Sequence, residues 1–305
     1  MLYVDKLTDK KANLIGVIVL VIAAMLWGGE YAVAKDVLDV LPPNWINMIR
    51  TAIASIIGII VWRKDFKAAT LKDWGRGAIV GVFFGLGFAT QTMGLETVNA
   101  GISAFLSSAY VILVPFMVWG VLKERPHRNV FIAAVIGIFG ISIMSVTGFS
   151  TGELSIGMGE ILSLVSAIFY ACAMIALDLF TEKTSVGFLT GSQFIFTFLV
   201  AAGFAFTMET MPAVEVNGVI IAEFIYLIFF GTFATQLLFT FGLKYASATQ
   251  AGVIFPLESV SATVLGCLFL GEVLEGVHII GGILLVVAIV ISSIEPKRMD
   301  EHLSV

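Results

Sequence analysis

The chain has 305 residues, 59% hydrophobic and 13% charged, with a mean hydropathy of +1.02 and a formal net charge of −5. A soluble domain carries about 25% charged residues, so this composition excludes an ordinary soluble enzyme and a basic nucleic-acid-binding domain. The chain reads as an integral membrane protein.

A spanning helix needs about 20 mostly apolar residues, and ten stretches of that kind follow one another with short connections. The first, Asn13–Ala34, follows a polar start and is too long for a signal-peptide core, so it reads as a retained helix. Its outer half carries Trp27, Gly28, Gly29 and Glu30, with Lys35 just beyond. The second, Asn44–Trp62, places Arg50 at a similar depth. An ionisable group in hydrocarbon costs several kcal/mol and so faces a partner or a cavity. A Glu30–Arg50 pair would serve either as a clamp between helices or as a charged patch that meets a substrate.

The third span, Gly75–Leu95, carries Gly81, Gly85 and Gly87, read as close-packing positions, and then Gln91. In the fourth, Asn99–Leu122, Ser103, Ser107 and Tyr110 share a face one turn before Pro115. The fifth is Asn129–Thr147. In the sixth, Met158–Thr181, Ser163, Ser166 and Tyr170 share a face; Glu160 at its outer end reads as solvated, and Asp178 lies near its inner end. Gln193 belongs to the seventh, Gly187–Thr207. The eighth, Val219–Leu243, opens with Glu223, also read as solvated, and clusters Thr232, Thr235 and Gln236.

The ninth, Ala248–Leu270, holds Glu258 about halfway along, two residues after Pro256, which removes a backbone donor and can kink the helix. A carboxyl group there is a candidate proton carrier or counter-charge for an amine-bearing solute. The tenth is Gly276–Ile294. Hydroxyl stripes of this kind serve equally as glue between helices. Their functional version is convergence on one cavity. The candidate substrate-binding or coupling residues are Glu258, Tyr110, Glu30, Arg50, Gln91, Tyr170, Gln193, Gln236, Trp27 and Ser107. Cys172 and Cys267 both fall inside spans and read as small packing residues rather than a disulfide.

Basic residues decide the orientation. With the N-terminus inside, Lys35 is the one basic residue on the outer side and Arg50 lies within a span; the other fifteen of the 17 gather on the inner side. Both termini are therefore expected in the cytoplasm, with the outer loops carrying Glu153, Glu209, Glu215 and Glu275.

The second half repeats the first. At a shift of 148 residues, Gly94/Gly242, Leu95/Leu243, Ala100/Ala248, Leu122/Leu270 and Glu124/Glu272 are identical, and Tyr110 meets Glu258. A shift of 143 pairs Trp27 with Tyr170, Lys35 with Asp178 and Arg50 with Gln193. Halves with five spans each run through the membrane in opposite senses, which places a site near the midplane between them. The expected fold is all-α, ten transmembrane helices in two inverted five-helix repeats, residues 1–150 and 151–305.

Several local strings resemble the EamA-type proteins of the drug/metabolite transporter superfamily. They are Trp27-Gly28 with Tyr31, Lys35, Pro42 and Arg50; Ala100 to Leu106 with Tyr110-Val111 and Val114-Pro115; and Tyr245 to Thr249 with Phe255 to Val260 and Leu270-Gly271-Glu272. The resemblance covers essentially the whole chain. It implies a ten-helix, inverted-repeat carrier in the cell membrane, commonly an exporter of metabolites such as amino acids. Glu30 departs from the small or apolar residue usual after Trp-Gly, and Ser259 from the Pro usual after the ninth-helix Glu.

His127, His278 and His302 lie near helix ends or in the tail, not at metal-ligand spacing. No Gly-x-x-x-x-Gly-Lys loop is present. The sequence therefore points to no enzyme, cofactor or direct use of ATP. The expected partners are the lipid bilayer, a small-molecule substrate with a coupled proton, and no nucleic acid. The competing classes are a membrane-embedded scaffold or sensor, and a channel. In a background lacking Cys172 and Cys267, an impermeant thiol reagent should label cysteines placed at Gly152 or Glu275 from outside and miss those at Lys67 or Arg125. The opposite labelling pattern would overturn the topology.

Overall fold

The computed structural model describes residues 10–123, 125–144, 156–181, 183–215, 217–245 and 254–293. Among them every regular element is helical. Seven helices are long and apolar enough to cross a membrane, and three shorter apolar helices accompany them. Gly152, Glu153, Glu124, Ala246 to Thr249 and the Asp178 side chain lie outside the described residues.

The first half comprises α1 (Lys10–Val37), α2 (Pro43–Val61), α3 (Arg63–Ala68), α4 (Leu71–Leu95), α5 (Ala100–Ser108), α6 (Tyr110–Leu122) and α7 (Arg128–Met144). The second comprises α8 (Met158–Thr181), α9 (Val186–Met208), α10 (Gly218–Ile225), a π-helical segment (Tyr226–Ala234), α11 (Thr235–Tyr245), α12 (Pro256–Phe269) and α13 (Gly276–Ser293). The short α3 has no counterpart among the predicted spans. It follows Trp62, and its Phe66 stacks edge-on against Trp74 and Phe188 at 5.9 and 5.0 Å, while Arg63, Lys64 and Lys67 stay outside that ring cluster.

Two predicted spans are interrupted. The fourth breaks at Ala109, where the ladder tightens to i−3 bonds: Ala109 N to Leu106 O at 3.2 Å and Ile112 N to Ala109 O at 3.0 Å. The ninth breaks at Phe255, with Glu258 N bonded to Phe255 O at 3.0 Å. Pro256 consequently opens α12 rather than bending it midway, in the first turn, where a missing N–H leaves no bond unmade. Glu258 sits in that same first turn. The helices end alike as well. Lys123 after α6 (φ 61°) and Gly271 after α12 (φ 65°) are the two left-handed residues of the described chain, and they stand 148 positions apart.

The most extensive helix pairs join one half to the other: α4 with α8 and α9, α2 with α9, α1 with α11 and α12, α5 with α8 and α12, and α7 with α13. Lipid is as apolar as leucine, so close packing and buried hydrogen bonds, not expulsion of water, must hold these pairs. On α4 the glycines supply the packing. A Cβ on Gly81 would lie 2.7 Å from the Gln193 carbonyl and one on Gly85 2.7 Å from Val200, both on α9; one on Gly87 would lie 2.6 Å from the Tyr170 ring on α8. The hydroxyl stripes supply the bonds. Ser103 meets Ser163 at 3.1 Å, Ser107 meets Ser166 at 3.0 Å, and Ser108 meets Ser259 at 2.8 Å. Ser259 thus uses the position where a Pro was the expected residue to tie α12 to α5. Ile138 and Phe139 of α7, each 63% exposed, face outward from the bundle.

The ends predicted to lie outside are tied by charge against helix termini. The Lys35 ammonium donates to the carbonyls of Leu95, Glu96 and Val98 at 2.6, 3.0 and 3.0 Å, at the end of α4. Glu209 accepts from Asn44 N, Asn44 Nδ2 and Trp45 N at the start of α2 (2.6–3.2 Å). Glu272 accepts from Ala100 N at 2.8 Å at the start of α5. Each charge opposes the exposed end of the helix dipole and fills orphan backbone groups. Burial pushes the Glu272 carboxyl above the usual carboxylate range, opposed by the Ala100 N–H and by Lys35. Glu160, read as solvated from sequence, is instead buried at 5% exposure, because α8 packs that end against α4. Glu223 is half-buried beside Asp36. Removing the Glu272 cap (Glu272→Ala) should lower stability by about 1 kcal/mol, read as a lower unfolding midpoint in detergent. An unchanged midpoint would remove the cap from the account.

Candidate functional site

One cavity lies between the two halves, with about 700 Å³ of empty space, open solvent included. That is the size range of small-molecule sites. From the first half it is lined by Trp27, Glu30 and Tyr31 of α1, Phe84, Phe88 and Gln91 of α4, Ser107 of α5 and Tyr110 of α6. From the second come Tyr170 and Met174 of α8, Gln193, Phe194 and Thr197 of α9, Gly231, Thr232 and Gln236 of the eighth span, and Glu258 of α12. Of the candidate residues named from sequence, only Arg50 is not part of this lining. It stands behind Glu30.

The close approach of α1 to α12 places the carboxylates. Gly28 leaves room for it, since a Cβ there would come within 2.8 Å of Ala262 N. A side chain at Gly29 would collide with the Tyr226 hydroxyl, which donates to the Leu26 carbonyl at 3.0 Å. The next residue, Glu30, then points inward and accepts from the Arg50 guanidinium. Glu30 is 6% and Arg50 1% exposed, so this is a fully buried ion pair. The guanidinium carbon also sits 4.3 Å from the Phe88 ring centre, a cation–π contact. Arg50 Nε is buried with no hydrogen-bond partner.

Among the described residues Glu258 has no such cation. The Tyr31 hydroxyl lies between Glu258 and Ser107, within hydrogen-bonding reach of both. Tyr110, the residue equivalent to Glu258 in the first half, stacks edge-on with Tyr170 at 6.3 Å. Tyr170 also meets Phe84 at 5.8 Å and Phe88 at 6.1 Å, and its hydroxyl donates to Gln91 Oε1. Trp27 packs on Phe239 at 5.2 Å. The wall opposite Glu30 is the π-helical segment, in which Thr232 reaches back to the Leu227 carbonyl at 2.7 Å. Its Gly231 presents no side chain, and a Cβ there would come 3.1 Å from Glu30 Cγ. Wider π turns recur where a helix lines a functional site.

The aromatic lining residues Phe84, Phe88 and Phe194 did not stand out in the sequence. A phenylalanine in an apolar helix looks the same whether it faces lipid or a cavity. Thr232 did stand out, and Tyr31 did as part of the first-span pattern.

The EamA-like transporter family matches this chain twice, over residues 14–146 and 157–294. The chain belongs to that family. Its relatives include an uncharacterized transporter of Archaeoglobus fulgidus, 28% identical over 277 residues, covering 90% of this chain and 84% of that protein. Another is the pseudopaline exporter of Pseudomonas aeruginosa, 26% identical over 281 residues, covering 90% and 94%. A solved crystal structure superposes with a TM-score of 0.66 at 16% identity, covering 93% of this chain and 97% of the other, a likeness of fold. The protein is thus a multi-pass membrane transporter of the EamA type.

If Glu30 and Arg50 neutralise each other, removing either alone leaves a buried unpaired charge, which costs about 3–5 kcal/mol. Glu30→Arg or Arg50→Glu singly should abolish stable expression in the membrane, and the double exchange should restore a large part of it. Additive damage in a double-mutant cycle would show that the two do not interact.

Proposed function

We propose that this EamA-family protein is a secondary carrier of the cytoplasmic membrane that exports a small organic solute, amino-acid-like or amine-bearing, by alternating access. In this reading the seven long apolar helices and the three shorter ones make ten crossings. Residues 1–150 and 151–305 form two five-helix halves of opposite orientation, with both termini in the cytoplasm. Inverted repeats give two near-equivalent packings around one central site, each open to one side.

The observation that carries this reading is the cavity between the halves, to which each half contributes polar and aromatic residues. Tyr110 and Glu258, 148 positions apart, both line it. The chain is interrupted beside each, at Ala109 and at Phe255. A helix with its hydrogen-bond ladder broken at mid-membrane can reorient one end without moving the other. Export is also the activity for which the Pseudomonas aeruginosa relative is named. Glu258 is the coupling residue in this scheme, since its carboxyl can hold either a proton or a cationic group of the solute.

Glu258→Gln keeps the shape and the hydrogen bonding and removes the titrating group. In proteoliposomes it should leave the unfolding midpoint within a few degrees of wild type while abolishing proton-coupled flux, or flattening its pH dependence. Wild-type flux with an unchanged pH profile would reduce Glu258 to a packing residue. A carrier also shows accelerated exchange when solute is present on both sides, which a channel does not.

A further inference from the structure

The two halves of the cavity differ in charge, and that difference selects a solute. Glu30 and Arg50 of the first half correspond, at the 143-residue shift, to Ala173 and Gln193 of the second. Where the first half has a buried ion pair, the second has a methyl group and an amide. Gln193 is 3% exposed, lines the cavity, and its Oε1 has no hydrogen-bond partner. A buried acceptor left unmade costs about 1–3 kcal/mol, a cost that a ligand donor would remove.

Among the described residues, the lining contains no Lys, Arg or His. The nearest guanidinium, Arg50, is engaged by Glu30 and stacked on Phe88. The cavity therefore offers a solute one carboxylate without a cation of its own, Glu258, and one unmet acceptor, Gln193. Around them stand the rings of Trp27, Tyr110 and Tyr170, whose faces favour cations over anions. The groups of the described lining that could receive a carboxylate, such as the Gln236 amide and the Trp27 indole N–H, are neutral donors and none is a cation.

We propose that the solute is a primary or secondary amine with an aromatic or apolar body and a second N–H or O–H donor, and without a carboxylate. Its ammonium pairs with Glu258 and its second donor meets the Gln193 carbonyl. This deepens the carrier reading above and rests on it: Gln193 is assigned as the specificity-determining residue, and zwitterionic amino acids are excluded as substrates.

The test uses three probes on the full-length protein in detergent, with binding read by calorimetry and by thermal shift. Tyramine carries the ammonium, the ring and the second donor; phenethylamine lacks the donor; tyrosine adds a carboxylate. Tyramine should bind at least about tenfold more tightly than tyrosine, the equivalent of one well-made polar contact, and more tightly than phenethylamine. Gln193→Leu should bring tyramine down to the phenethylamine value and leave phenethylamine unchanged. That pattern separates a direct contact from a folding defect. Tyrosine binding equal to or tighter than tyramine would overturn the proposal, because the site would then accept a carboxylate, at Arg50 or at the neutral donors of the lining. Failure of all three probes to bind would overturn it as well. In either case, Glu258-dependent counterflow of any other solute in proteoliposomes would leave the carrier reading standing, whereas its absence would remove that too.

Discussion

A bilayer supplies no hydrogen-bond partners, so each polar group inside this bundle must be met by another part of the chain or face a cavity. The arrangement of the helices follows from that constraint. Arg50 and Glu30 could not be buried singly at the depth where they stand, and together they fix α2 against α1. The serine pairs between α5 and α8, and between α5 and α12, set the register of the helices around the cavity. At the helix ends the carboxylates of Glu209 and Glu272 and the ammonium of Lys35 cover backbone groups that would otherwise face a poorly hydrated interface. One buried acceptor left unmet, Gln193 Oε1, stands on the cavity wall.

Glycine does the complementary work. With lipid as good a neighbour as any side chain, two helices stay together only where their backbones come close enough for dense contact. The row Gly81 and Gly85 draws α9 onto α4, and Gly87 draws in α8. Gly28 does the same for α1 and α12, and with it comes the placement of two acidic residues, Glu30 and Glu258, on one cavity. Small residues therefore determine where the charged ones meet.

The halves share a frame and differ in its furnishing. The helix breaks at Ala109 and Phe255 and the left-handed turns at Lys123 and Gly271 fall at equivalent or near-equivalent positions. Polar side chains at two equivalent positions differ: Tyr110 against Glu258, Arg50 against Gln193. A shared frame lets the backbone bend in corresponding places. Unlike side chains make the space between the halves uneven in charge: Glu30 of the first half is neutralised by Arg50, whereas Glu258 of the second has no such cation among the described residues.

Hydropathy, basic-residue placement and the 148-residue shift were enough to read the membrane class, most helix positions and the polar residues worth testing. Each of those signals is carried by the chain itself: an apolar run of sufficient length has one solvent, and a rare ion in such a run needs a reason. The cavity candidates Glu258, Tyr110, Gln91, Tyr170, Gln193, Gln236, Trp27, Ser107 and Glu30 were legible for that reason. Tertiary structure decided the rest. The burial of Glu160 depends on which helix covers the end of α8, and the place of Arg50 behind Glu30 depends on which face of α2 meets α1. Phe84, Phe88 and Phe194 became cavity wall through the same choice of faces. The π-helical segment was likewise invisible, since its sequence is as apolar as any helix. Periodicity tells a helix from a strand; it does not tell a face turned to lipid from one turned to a cavity, because both are apolar and only packing distinguishes them.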